Sequence, residues 1–170
     1  MRIRRAGAGV HVHRGVGEFA RARASRHSLG GESVVTYTQP DAIAAITRAI
    51  RTEQNYVFAA GLAGAFLRGA GRRRAVNQLA EHRARLQANA VLVDPSDVPA
   101  TPPGFTPESP ITNPKTARSA LAALSNTLVG VYADVASVTE GADRATAIAW
   151  AQASARDAVR WGVASQAFPT

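Results

Sequence analysis

No cysteine occurs in the 170 residues, which excludes disulfides, thiolate metal sites and cysteine nucleophiles while leaving the compartment open. Aromatic residues are scarce at 6%, and much of the 46% hydrophobic content is alanine. Sheets favour β-branched and aromatic side chains, whereas closely packed helices accept alanine, so the composition points to helix on helix. No apolar run is long enough to span a membrane, and the charged N-terminus lacks the apolar stretch of a secretory signal. The expectation is therefore a cytoplasmic protein with no membrane partner. Signatures of nucleotide binding and nucleophilic catalysis are missing too: there is no G-x-S-x-G, no P-loop, no Rossmann fingerprint and no recognisable pairing of Ser with His. Enzyme activity is left undecided, with the motifs weighing against it.

What is abundant is positive charge, unevenly placed. The net charge is +8. Residues 1–34 hold seven Arg against two Glu, and residues 35–170 hold twelve Arg and one Lys against ten acids. The body is only mildly basic, which makes nucleic acid an unlikely partner for it and confines that reading to the tail and to Arg72-Arg73-Arg74.

The segment 1–34 is rich in Arg, Gly and His without sustained periodicity, and it is expected to be a disordered basic tail. Arg21, Arg23 and Arg26 would suit a short basic helix. His11 and His13 form an H-x-H pair that could share a metal on a strand or be incidental. The odd composition also raises a start of translation at Val34 or Val35, from a GTG codon, with the codons of Gly30-Gly31-Glu32-Ser33 serving as a ribosome-binding site.

Residues 35–170 divide into four helices. The first is expected from Pro40 to about Arg68, with capping-box-like spacing of Thr38 and Asp41 at its start and Gly69 and Gly71 at its end. The second runs from about Arg72 to Val93, before Pro95. Seven of the nine prolines lie between Pro95 and Pro114, marking a linker over 94–113. The third helix opens with Asn113 as N-cap and Pro114 at its first position, and runs to about Glu140. The fourth runs from about Asp143 to Ala167. Apolar residues on the third helix alternate steps of four and three: Ala117, Leu121, Leu124, Leu128, Val131, Val135, Val138. The first helix keeps the same rhythm through Ile43, Ile46, Ile50, Glu53, Val57, Ala60, Gly64 and Leu67. The second offers Ala75, Leu79, His82, Leu86 and Val93, and the fourth Ile148, Ala151, Ala155, Val159 and Gly162.

Short connections within each pair of helices make two antiparallel hairpins. A helix of about 22 residues is roughly 33 Å long, and a Pro-rich linker of about twenty residues reaches roughly 60 Å. The linker can therefore run the length of the bundle. Two hairpins joined by one long crossover is the all-α, ferritin-like four-helix arrangement.

Particular residues add a resemblance. Glu53-Gln54-Asn55-Tyr56 with the Ala/Gly-rich run through Gly61 and Gly64, Glu81-His82-Arg83-Ala84-Arg85, Ile111-Thr112-Asn113-Pro114, Arg160-Trp161 and Phe168-Pro169 together resemble the actinobacterial ferritin-like proteins of unknown function, over residues 39–170. The resemblance implies a ferritin-like bundle and no established activity. Two positions depart from it: Ser125-Asn126 stands where an acidic residue is expected near the middle of the third helix, and Thr170 where a terminal Gly is common.

A ferritin-like two-metal centre needs a Glu from each of two helices and Glu-x-x-His from each of the others. Glu53 is well placed in its seam. Glu81 and His82 are adjacent rather than three apart, and so lie about 100° apart on a helix. Asp134 is one position off its seam, and Arg160 stands where Asp157 would want a His. The set is incomplete for two irons. What remains open is a structural Glu53, paired with Arg83, Tyr132 or His82 because a buried carboxylate needs a partner, or a degenerate site for iron or manganese made by Glu53, Glu81 and His82. Trp150 and Trp161, eleven apart on one stripe, suit a core, a dimer surface or a stacked ligand. The leading expectation is a non-catalytic interaction or scaffold module that forms a homodimer. The alternatives are metal binding at Glu53 and nucleic-acid binding through the tail.

Overall fold

The computed structural model describes residues 24–29, 32–101, 107 and 110–164. His11, His13, Arg21, Arg23 and the C-terminal Phe168-Pro169-Thr170 lie outside them. The described chain runs β1 (Ala24–Leu29), β2 (Glu32–Tyr37), α1 (Pro40–Phe66), α2 (Gly69–Ala90), α3 (Pro114–Val138) and α4 (Gly141–Trp161).

The strands are a departure from the expected structureless tail. They pair antiparallel from Ala24 opposite Tyr37 to Leu29 opposite Glu32. The run Val34-Val35-Thr36-Tyr37 is β-branched and aromatic, and Gly30-Gly31 is a hairpin signal that the Arg-rich composition obscures. Tyr37 ties this hairpin to the bundle. Its N–H donates to the Leu92 carbonyl at 2.8 Å, its hydroxyl donates to Asp143 Oδ2 at 2.9 Å, and the Glu140 N–H donates to the same hydroxyl at 3.3 Å. Burial is the main cause that raises the Tyr37 phenol above its ordinary value.

Helix ends follow local chemistry. At α3 the Asn113 side chain accepts from the N–H groups of Lys115 and Thr116, and the Thr116 hydroxyl accepts from the Asn113 N–H, a complete capping box. At α1 the N-cap position falls on Gln39, one residue later than the expected Thr38, with no side-chain cap bond from Gln39, and Pro40 follows it. Between α1 and α2 only Leu67 and Arg68 intervene, because Gly69 takes φ 54 and opens α2 instead of ending α1. Gly162, at φ 114, ends α4 well short of Ala167; a left-handed residue after the last turn is a helix stop.

The four helices form the two expected antiparallel hairpins. Across them, Arg48 meets Asp134 while Tyr56 meets Ser125, so α1 and α3 also run antiparallel. After α2 the chain passes alongside α1, where Gln54 Nε2 donates to the Pro99 carbonyl at 3.2 Å. The core is built from Ile46, Ile50, Tyr56, Leu67, Leu121, Leu128, Tyr132 and Val135, with alanines 42, 45, 49, 59, 60 and 63 lining α1. Alanine at a helix contact permits a short interaxial distance, and α1 packs closely on α2 and α3, as α3 does on α4. By length and composition α3 is apolar enough to cross a bilayer, contrary to the expectation of no such run; its apolar residues Ala117, Leu121, Leu128, Val131 and Val135 are buried in the bundle.

The fourth helix corrects the sequence reading most. Ile148, Ala155, Val159 and Gly162 are exposed, and the buried stripe is Ala147, Ser154, Asp157, Ala158 and Trp161. The large indoles and their polar neighbours set the phase of this helix, and Ile148, Ala155 and Val159 turn outward.

A buried polar centre between four helices

Glu53 lies in the middle of α1 with no exposed surface. Both its oxygens are occupied. His82 of α2 places Nδ1 at 2.6 Å from Oε2, and the Tyr132 hydroxyl of α3 donates to Oε1 at 2.5 Å. Asn89 Nδ2 donates to the Tyr132 oxygen at 3.2 Å and to the Arg85 carbonyl at 2.9 Å; the carbonyl can only accept, which fixes the amide orientation. A carboxylate buried in this way is tolerated because its hydrogen bonds replace those of water.

Around this pair the aromatic rings are ordered by contact. The Tyr56 ring stacks on His82 at 3.6 Å between centroids, and Trp150 meets Tyr132 edge-on at 5.2 Å. The Tyr56 hydroxyl and the Trp161 indole N–H both donate to Gln78 Oε1, at 2.9 and 2.8 Å. Arg85, largely buried, donates to Ser154 Oγ at 3.3 Å and lies over Trp150 at 5.9 Å. Burial pushes the Tyr56 phenol up to about 12. The Tyr132 phenol is raised further, first by burial and then by the charge of Glu53. Within this centre, His82 Nε2 and Asn89 Oδ1 are buried without a partner among the described residues.

Of the candidate ligands Glu53, Glu81 and His82, the structure brings together Glu53 and His82. Glu81 is exposed, turned about 100° around the helix from His82 by its spacing. Of the proposed partners of Glu53, His82 and Tyr132 are its neighbours, and Arg83 is exposed. Asp134 is held on the surface by Arg48 at 3.0 Å, and the buried Asp157 is paired with Arg160 at 3.2 Å. Trp161 is buried and Trp150 half-buried, so the tryptophan stripe faces inward. Tyr132, Asn89, Gln78 and Arg85 are the site residues that sequence reasoning undervalued. Tyr132 follows the seam residue Val131, and the other three read as surface polars of α2.

A two-metal cage does not fit these residues. The one buried carboxylate on α1 has both oxygens taken, α3 offers Tyr132 and Ser125 at the same depth, and among the described residues no three His, Cys, Asp or Glu side chains converge. The arrangement can hold a proton between Tyr132, Glu53 and His82 and can fix the relative rotation of three helices.

A four-helix bundle with one long crossover and a hydrogen-bonded polar centre is the class of protein that these features define. Residues 45–170 match the family described as a domain of unknown function, DUF4439, and the chain belongs to that family. Among curated proteins there is no match. The chain is similar in fold to the crystal structure of a conserved hypothetical protein from Mycobacterium tuberculosis, with 22% identity and a TM-score of 0.66, over 73% of this chain and 97% of that one.

Proposed function

We propose that the protein is a cytoplasmic, ferritin-like bundle of the non-catalytic kind, an interaction or scaffold module in which a closed hydrogen-bond network occupies the place of a metal cage. One observation carries this reading: both oxygens of Glu53 are engaged by side chains of the bundle itself, so the carboxylate best placed to bind a cation is already satisfied. The ferritin-like and actinobacterial assignments rest on the crossover topology and on the resemblance of residues 39–170. The test is the metal content of protein purified without chelator, beside a Glu53→Ala variant. No stoichiometric metal in either is expected; about one or two iron or manganese ions per chain, lost in the variant, would overturn the reading.

The second reading is a degenerate metal site, and His82 favours it. Its Nε2 is buried without a partner while Nδ1 is held by a carboxylate, the arrangement that orients metal-ligating histidines. The same metal assay separates the two. Self-association belongs to the first reading and rests on Ile148 and Val159, exposed on α4. Light scattering after size exclusion should give a dimer that Ile148→Glu dissociates; a monomer at every concentration would remove this part.

A further inference from the structure

Long polar side chains bridge α2 and α4. The space between them includes an open groove of about 520 Å³, lined in part by Arg73, Arg74, Gln78, Glu81, Arg156 and Arg160. Small-molecule sites have volumes of about 300–1,000 Å³.

We propose that this groove binds a small phosphate-bearing ligand, with the guanidinium groups of Arg73 and Arg156 and the amide N–H of Gln78 as donors to the phosphate oxygens. Gln78 is the built part of the site. An indole N–H can only donate, so the Gln78 atom that meets Trp161 must be the carbonyl oxygen. Tyr56 donates to that same oxygen. The amide is thereby locked, Gln78 lines the groove, and its Nε2 has no protein acceptor among the described residues. A nearly buried side chain held by two buried aromatic donors offers a donor whose ordering precedes binding.

The charges fit the same ligand. Four guanidinium groups line the groove against the carboxylates of Glu81 and Asp157, an excess of two positive charges. A phosphate monoester carries about −1.5 to −2 at pH 7. Two of the arginines already have structural duties: Arg74 donates to the Arg160 carbonyl at 2.9 Å and lies over Trp161 at 5.2 Å, and Arg160 pairs with Asp157. Arg73 and Arg156 make no hydrogen bond or ion pair among the described residues, and both are exposed. Forked guanidinium groups match phosphate oxygens in pairs. The groove is larger than phosphate alone needs, and Glu81 on its wall can accept from a ligand hydroxyl, which favours an organic ester over free phosphate.

Phosphate binding in the groove is independent of whether the polar centre holds a metal, and a separate measurement tests it. The full chain is titrated calorimetrically at constant ionic strength with inorganic phosphate, glycerol 3-phosphate and acetate. Saturable binding of both phosphates is expected, glycerol 3-phosphate the tighter, with none for acetate. Arg73→Ala and Arg156→Ala should each weaken binding about tenfold. Arg118→Ala, an exposed arginine outside the groove, should leave it unchanged. Gln78→Glu keeps an acceptor for Tyr56 and Trp161 but removes the donor, and should abolish binding. Tighter binding of inorganic phosphate would make free phosphate the ligand. Absence of saturable binding by either phosphate, or equal losses in Arg118→Ala and Arg156→Ala, would overturn the assignment.

Discussion

Replacing Tyr132 by Phe removes one hydroxyl and leaves the ring on Trp150 in place. Glu53 Oε1 then loses its donor, and Asn89 loses one acceptor. A buried group left without its partner costs about 1–3 kcal/mol, so Tyr132→Phe should lower the unfolding free energy by that amount in urea titrations. A change within experimental error would mean that water replaces the hydroxyl. Glu53 itself was legible in the sequence, because a carboxylate in an otherwise apolar four-three rhythm is conspicuous. Its partners were legible only as a short set of alternatives. Which of His82, Tyr132 and Arg83 meets it depends on the rotational phase of two other helices, and a 3.6-residue period gives that phase only to within a neighbouring position. Gln78, Arg85 and Asn89 were hidden for a related reason: polar residues on a helix as charged as α2 read as solvent-facing until partners are known on another helix.

At the scale of elements, the signals that succeeded are those with local causes. Asn113-Pro114 opens α3 as its chemistry requires, and the proline-rich stretch is the crossover. Asn113→Ala removes the acceptor of two N–H groups and should cost about 0.5–2 kcal/mol, with Asn113→Asp close to neutral; thermal unfolding of the two variants measures the difference. The apolar pattern failed on α4, where Ile148 and Val159 suggested one face and Trp150, Ser154, Asp157 and Trp161 define another. Burial of an indole outweighs that of a smaller aliphatic group, and Ser154 and Asp157 enter the core because Arg85 and Arg160 meet them. At the other end of this helix, Gly162 holds φ 114. Gly162→Ala should therefore destabilise the protein by roughly 1 kcal/mol, since a Cβ is disfavoured in a left-handed conformation. The same circular-dichroism melts would show it; an unchanged midpoint would mean that α4 ends equally well without the left-handed stop.

For the whole molecule, the tyrosines supply a probe of cooperativity. The sequence has three of them, Tyr37 fastening the hairpin, Tyr56 and Tyr132 in the polar centre, and all three phenols are raised above the ordinary 10.0. In the unfolded chain each gives up its proton near pH 10, while in the folded chain Tyr56 keeps it to about 12. Between those values the unfolded state binds fewer protons, so stability is complete below pH 10 and falls as pH rises. Each buried phenol contributes a slope of about 1.4 kcal/mol per pH unit over that window. Tyr56 and Tyr132 sit on α1 and α3 and reach α2 through His82, Gln78 and Asn89, so ionising either must break the contacts that hold three helices in phase. Tyrosinate absorbance at alkaline pH should accordingly appear together with loss of helical circular dichroism, in one steep transition above pH 10. Complete ionisation near pH 10 with the helical signal intact would show that the centre opens to water without unfolding, and that the Glu53 network does not unite the bundle.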